Sequence, residues 1–338
     1  MSITLIVASV IAFAVTAVLT PKFIVFNERI GLTGADIHKP TKPRIAESGG
    51  AAVLAGALVG SFAFIWVDVF IYGSFGDLPA TLAALSTILI AAFIGLFDDL
   101  FSLLKKIDGK TGHKRIGLPQ WAKPLLTLPA AVPLMAIMAG ETSMAMPLFG
   151  SVNFGILFPL LLVPLAVVGA SNATNMLAGL NGLEAGLGAV LLGSIGTFAA
   201  LTGRIAAMTI ALPLAAALVG FYIWNRYPAK IMPGDSLSYI VGAAVATVAV
   251  IGNMERFAVI SFTPWFIELI LKARGCFKSE SFGILQMDGS LAPPQKRICS
   301  LTHLVMRLGR FNEKQVVLII IGLEVAVSAI AWLLYWPL

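Results

Sequence analysis

Ten apolar runs, most of them near the length that crosses a bilayer, leave this chain one broad choice of fold. They fall at Ile3–Leu19, Gly50–Ile71, Ala80–Phe97, Ala122–Ala139, Ile156–Ala170, Leu183–Ala200, Ala206–Trp224, Leu237–Ile251, Phe257–Leu271 and Val316–Leu334. In hydrocarbon each backbone donor and acceptor must find its partner inside the protein, so such runs become helices. Several are shorter than the ~20 residues of an untilted span, and their ends must reach into interfacial residues. With 58% hydrophobic residues and 12% charged, and a mean hydropathy of +0.93, a soluble globule is excluded. The expectation is an all-α polytopic membrane protein with about ten transmembrane helices, forming one domain over residues 1–338. The first run has no basic residue before it and no small-residue cleavage site after it, so it reads as a retained span.

Charge fixes the expected orientation. Ten spans divide the loops into two sets, and the set after spans 1, 3, 5, 7 and 9 holds 21 of the 23 Lys and Arg. The opposite set has only Arg204 and Arg256. The basic loops therefore read as cytoplasmic and both termini as external. The basic balance reports orientation, and nucleic acid is not an expected partner. Cys276 and Cys299 offer neither a disulfide framework nor metal-ligand spacing.

The loops expected outside are short and bland, whereas the cytoplasmic set holds nearly every unusual residue. The loop from His38 to Gly50 carries prolines that forbid helix and glycines that permit close backbone approach. Residues 272–315, between spans 9 and 10, are long enough for structure of their own. There Asp288-Gly289 predicts a hairpin. Behind it Ile298, Leu301, Leu304, Val305 and Leu308 share one face of a basic amphipathic helix. Two placements stay open for that helix, in the headgroup layer or packed on the other loops.

The stretch Ser171-Asn172-Ala173-Thr174-Asn175 to Leu180-Asn181-Gly182-Leu183-Glu184 interrupts two apolar runs with amides, glycines and a carboxylate. Left without partners in hydrocarbon, each amide would cost roughly 2–7 kcal/mol. The stretch is therefore expected at one membrane face, lining a wet pocket. On the same face fall three carboxylates (Asp98, Asp99, Asp235), three amides (Asn172, Asn175, Asn181) and the cations Lys39 and Lys123. That mixture suits a diphosphate held by a hard cation, because Mg²⁺ takes oxygen ligands and commonly shares substrate phosphates with one or two carboxylates. No His/Cys cluster suggests zinc, and no Walker-type glycine loop suggests ATP hydrolysis. Duller roles compete at each position. Asp98-Asp99 could sit at the solvated end of span 3, Asp235 could cap span 8, and Asn181 with Glu184 could cap span 6. Lys123 could snorkel at an interface. Glu324 stands alone inside the tenth run.

With these motifs in hand, the sequence resembles the polyprenyl-phosphate N-acetylhexosamine-1-phosphate transferases over essentially its whole length. Phe97-Asp98-Asp99 is similar to that family's paired aspartates, Asn172-Ala173-Thr174-Asn175 to its N-x-x-N motif, and Pro233-Gly234-Asp235 to its metal-binding G-D. Ala178-Gly179-Leu180-Asn181-Gly182-Leu183-Glu184, Asn225-Arg226-Tyr227-Pro228 and Ile45-Ala46-Glu47-Ser48 resemble the eukaryotic and archaeal branch acting on UDP-N-acetylglucosamine and dolichyl phosphate. The resemblance implies Asn175 and Asp235 as ligands of Mg²⁺, with Mn²⁺ as the alternative, and Lys123 as a diphosphate contact. It implies that Asn181 and Glu47 hold the uridine and neighbouring groups, and that Asp98 and Asp99 position or deprotonate the lipid phosphate. Lys39 and Asn172 join them as substrate-binding candidates. Three positions depart from the pattern. Ser102 replaces an Asp or Asn, Met232 replaces an aromatic residue, and the arginine-rich segment is represented by Lys278 alone.

The implied reaction transfers N-acetylglucosamine-1-phosphate from UDP-N-acetylglucosamine to dolichyl or another polyprenyl phosphate, releasing UMP. Two alternatives stand beside it: another UDP-N-acetylhexosamine as donor, and a secondary transporter. Membrane lipids are expected partners, with a homodimer as the candidate assembly. The expected location is the archaeal cell membrane, or the endoplasmic reticulum membrane in a eukaryote.

Overall fold

The computed structural model describes residues 3–73, 75–107, 121–146 and 150–336, excepting the side chains of 102–107, 144–146 and 150–151. The side chains of Ser102 and of the basic residues between 105 and 115 lie outside the described residues. Helix α1 (Ile3–Arg29) leads through strands β1 (Thr33–Ala35) and β2 (Arg44–Ala46) into α2 (Gly50–Phe70) and α3 (Leu78–Ile107). After α4 (Ala122–Thr127), a 3₁₀ turn (Leu128–Ala131) and α5 (Val132–Ala136) come β3 (Ser143–Met146) and β4 (Gly150–Asn153). A π-helical turn (Phe158–Leu162) runs into α6 (Val163–Met176), followed by α7 (Leu183–Leu201), α8 (Ile205–Asn225) and α9 (Gly234–Ile251). The chain closes with α10 (Glu255–Ser261), α11 (Thr263–Arg274), β5 (Ile284–Leu285), β6 (Leu291–Ala292), α12 (Leu301–Leu308) and α13 (Glu313–Tyr335).

The protein is an all-α polytopic membrane protein, but two of the ten apolar runs do not become long helices. Among the described residues eight helices are long and apolar enough to cross a membrane. The fourth run breaks into α4, the 3₁₀ turn and α5, and it carries Pro124, Pro129 and Pro133. The ninth breaks at Phe262, with Pro264 in the first turn of α11. Each proline removes a backbone donor and crowds the preceding turn, which an apolarity count does not see. Two other ends move the opposite way. Helix α1 continues through Pro21 to Arg29, and α3 runs past Phe97 to Ile107. Asp98 and Asp99 therefore lie within a helix, not at its solvated end.

Helix α9 is the axis of the bundle. Every residue from Ser236 to Val250 is buried, as expected of a helix apolar all round. It packs on α3 and α6, and α8 packs on α1, α2 and α7. Gly95 makes the α3–α9 approach close enough to matter, since a Cβ there would stand 2.5 Å from the Cα of Ser236.

Loop contacts bring one set of helix ends together. The Gly49 amide donates to the Met232 carbonyl at 3.0 Å and the Met232 amide to Ala46 at 2.8 Å, while Ser281 Oγ donates to the Met176 carbonyl at 2.8 Å. At the opposite end β3 and β4 form a hairpin in what reads as a featureless loop. The expected Asp-Gly hairpin is present as β5–β6, with Gly289 at φ +82°. Helix α12 is present: Leu301, Val305 and Met306 are buried as it packs on α13, α11 and β6, while Leu304 and Leu308 of the same apolar set stay exposed.

Candidate active site

The site grows from the first turn of α9. Gly234 has φ +73°, and a Cβ there would meet Asp99 Oδ2 at 2.4 Å and the Ser48 Cα at 2.8 Å, so only glycine fits. A helix start leaves its first N–H groups without intrahelical acceptors. Here Asp99 of α3 supplies them, with Oδ1 accepting from the Asp235 amide at 2.8 Å and Oδ2 from the Ser236 amide at 3.4 Å. The Ser48 hydroxyl also bonds Asp99. Asp99 thus sets the position of Asp235. Its neighbour Asp98 faces elsewhere, with Oδ2 2.6 Å from Lys123 Nζ. The same ammonium lies 2.7 Å from Asp235 Oδ2. Lys123 therefore joins carboxylates from α3 and α9, and it keeps a path to solvent: the Lys123 and Asp235 side chains are 18% and 26% exposed.

One turn along α9, buried Tyr239 carries its hydroxyl into the same group and hydrogen-bonds Asn175 of α6. Asn172, one turn earlier on α6, turns toward α4. Its Nδ2 donates to Thr127 Oγ1 at 3.1 Å and to the Val168 carbonyl at 2.8 Å. Thr127 Oγ1 lies 3.1 Å from the Lys123 carbonyl. Asn172 therefore braces the helix that carries Lys123, and Asn175 is the amide in the cluster.

Lys39 and Asn181 belong to a second polar group. Lys39 Nζ lies 3.1 Å from Asp36 Oδ2, donates to Asn181 Oδ1 at 3.0 Å, and pairs with Glu313 Oε2 of α13. It also sits over the Tyr227 ring, 4.0 Å from its centroid. The Asn181 amide donates to Glu313 Oε1 at 2.8 Å, and Asn181 Oδ1 also accepts from the Ala229 amide at 2.9 Å. Asn181 therefore does not cap α7. The residue before that helix is Gly182 with no side-chain cap, and Glu184 Oε1 accepts from the Gly179 amide at 2.9 Å. Asp36, His38 and Glu313 could bring one ligand atom each within 4.8 Å, but the Lys39 ammonium already engages both acids. That arrangement is an ion-pair tie.

Glu47 folds its carboxylate against Gly34, with its carbonyl accepting from Asn27 Nδ2 at 2.6 Å. Lys278 is exposed on the last loop. That loop is fastened by Glu268 of α11, fully buried, which accepts from the Leu301 amide at 2.6 Å and from Ser300 Oγ at 3.0 Å. The peptide between Phe282 and Gly283 is held from both sides. The Gly283 amide donates to His38 Nε2 at 3.2 Å, and His303 Nε2 lies 3.1 Å from the Phe282 carbonyl. The Phe282 ring covers Gly179, where a Cβ would come within 2.2 Å of it.

The profile of glycosyl transferase family 4 matches residues 81–253, over half of the chain. The chain belongs to glycosyl transferase family 4. Asp98, Asp99, Lys123, Asn175, Asp235 and Tyr239 all lie inside the matched segment, whereas Lys39 and Glu313 lie outside it. A protein of Saccharolobus solfataricus, provisionally named UDP-N-acetylglucosamine–dolichyl-phosphate N-acetylglucosaminephosphotransferase, is 36% identical over 327 residues, 96% of this chain and 94% of that one. A Sulfolobus acidocaldarius protein with the same provisional name is 35% identical over 325 residues, 95% and 93% of the two chains. The phospho-N-acetylmuramoyl-pentapeptide-transferase of Streptococcus thermophilus is 30% identical over 259 residues, 74% of this chain and 72% of that one. As a member of this family the protein is a transferase enzyme, which removes the transporter alternative.

The matched cluster also fits a divalent cation by its donor set. Asp98, Asp99, Asp235 and Asn175 offer oxygen only, as hard cations require. Lys123, held between two of these carboxylates, shows that the cluster already draws positive charge.

Several residues of the two groups and of the last loop escaped the sequence reading as site candidates. Tyr239 had a weak signal, a polar aromatic residue four positions after Asp235 in an apolar run. Ser48 lay in the Ile45-Ala46-Glu47-Ser48 motif without a role of its own, and Asp36, Glu313 and Glu268 gave no signal.

Proposed function

We propose that this protein transfers N-acetylglucosamine-1-phosphate from UDP-N-acetylglucosamine to dolichyl or another polyprenyl phosphate, releasing UMP, with the site on the cytoplasmic side. The observation that carries the reading is Lys123 bridging Asp98 and Asp235 beside Asn175, inside the matched segment. The names of the archaeal relatives supply the substrates. Mg²⁺ (or Mn²⁺) held by Asp235 and Asn175 would supply positive charge to the donor diphosphate.

The remaining work falls to the chain itself. An oxygen of the lipid phosphate attacks the β-phosphorus, the bond to the α-phosphate breaks, and UMP leaves with that bridging oxygen. A phosphate monoester is largely a dianion at neutral pH, so the attack needs no strong base. Asp98 and Lys123 orient charge at the reacting centre, and Asp99 holds the turn that presents Asp235. Glu47, on the adjoining first loop, holds the nucleoside, and Asn181, engaged by Lys39, Glu313 and the Ala229 amide, fixes the loop beside it.

Purified protein with dolichyl phosphate and a panel of UDP-sugars tests the reading by UMP release. UDP-N-acetylglucosamine should be the preferred donor. Preference for another UDP-N-acetylhexosamine would redirect the donor assignment, and no UMP from any donor would sink it. Orientation is tested in a background lacking Cys276 and Cys299. Single cysteines at Thr142 and Gly289 should label from opposite sides of a sealed membrane, with Gly289 cytoplasmic.

A further inference from the structure

A cavity of ≈ 580 Å³ opens between the end of α8 and the start of α13, behind Asn181 and away from the Lys123 cluster. Three cations line it, Arg226, Lys230 and Lys314, and no carboxylate does. All three are exposed, so none is neutralised by burial against an acid. The nearest acid in sequence, Glu313, is turned inward onto Lys39. Tyr222, Trp224 and Tyr227 form the polar-aromatic part of the wall, and such residues mark headgroup depth in a membrane. Beside them Ile223, between Tyr222 and Trp224, and Leu318 of α13 line the same cavity while being 44% and 49% exposed. Both belong to helices of crossing length.

We infer that this cavity binds the headgroup of an anionic membrane glycerophospholipid. The phosphate would lie among Arg226, Lys230 and Lys314, and the first acyl carbons would lie along Ile223 and Leu318. A free phosphate could use the cationic half alone. The apolar half, open toward the bilayer, favours the lipid source. Basic pockets between membrane helices are suited to such headgroups, at about fivefold in affinity for each cation near the surface. Asn181 forms the common wall with the second polar group, so an occupied cavity would stiffen the loop carrying that residue.

The test is lipid retention and does not depend on the proposed reaction. Full-length protein is reconstituted in phosphatidylcholine vesicles containing phosphatidylglycerol, extracted in neutral detergent, and examined by native mass spectrometry. Wild type should retain phosphatidylglycerol. Arg226→Gln/Lys230→Gln/Lys314→Gln should retain it on the order of a hundredfold more weakly. The charge-preserving Arg226→Lys/Lys230→Arg/Lys314→Arg should hold it nearly as well as wild type, which separates charge from misfolding. Equal retention by the wild type and the Gln variant would overturn the inference. So would displacement of the lipid by inorganic phosphate, which would make this a soluble-anion site. A dimer peak that replaces the lipid-bound species and vanishes in the Gln variant would give the cavity to a second copy instead.

Discussion

Lys123 lies between Asp98 and Asp235, and Lys39 lies between Asp36 and Glu313, so both are lysines bridging two acids at the same end of the bundle. Their surroundings differ. Lys39 and Glu313 are 11% and 2% exposed, the second Glu313 oxygen accepts from the Asn181 backbone amide, and Asn181 Oδ1 accepts from both Lys39 and the Ala229 amide. Lys123 and Asp235 keep 18% and 26% exposure. The Lys123 pair is the more open of the two. The charges are alike, so access to solvent is what distinguishes the two groups.

The sharpest way to break this comparison is Asp235→Ala. It should lower UMP release on the order of a thousandfold, as loss of a preorganised charge at a reacting centre does. Near-normal turnover at limiting Mg²⁺ would remove Asp235 from the site. Next comes Glu313→Gln. Loss of one partner of a buried pair costs about 3–5 kcal/mol, so this variant should melt much earlier, with the residual folded fraction keeping most of its turnover. An unchanged melting temperature with lost activity would make the closed group catalytic.

Asp98→Asn and Asp99→Asn then divide the aspartate pair. Asp98→Asn should reduce turnover at every pH from 6 to 9 while leaving donor affinity within a few-fold. Activity recovering as pH rises would point to proton removal instead. Asp99→Asn keeps one acceptor for the start of α9, so its effect should be smaller, about 1 kcal/mol in stability. Tyr239→Phe removes a single hydroxyl bond to Asn175, worth about 0.5–1.5 kcal/mol. It should raise the Mg²⁺ concentration needed for half-maximal rate.

The smallest effect concerns the last loop. Burial holds the His303 imidazole below the ordinary histidine range, with Lys272 adding to the shift. A histidine depressed in the folded state contributes fully above its unfolded value near 6.5, and the contribution fades as pH falls below that. Hydrogen-exchange protection factors in α12, corrected for the intrinsic rate at each pH, should therefore fall on acidification below about pH 6.5, and His303→Gln should flatten that response.

Much of this architecture can be read along the chain, because apolar runs, Asp98-Asp99, Gly234-Asp235 and Asp288-Gly289 are local signals. What the chain hides is mostly distance. Lys39 meets Asn181 across 142 positions and Glu313 across 274, and no sequence window holds both partners. Asp99 illustrates a second limit. Its type suggests chemistry, yet its oxygens serve the amides of Asp235 and Ser236, a role visible only once α3 and α9 are side by side. The broken fourth and ninth runs show a third, since proline outweighs apolarity there.

The tie between Lys39 and Glu313 also bears on how the enzyme is made. Synthesis proceeds from the N-terminus, so the complete Lys123 cluster has left the ribosome well before Glu313 is translated. A chain stopped short of that point carries every residue of the cluster. It lacks the carboxylate that draws the first loop, Asn181 and the last helix together. Translation of α13 is therefore the step that supplies the fastening between the first loop, Asn181 and the last helix.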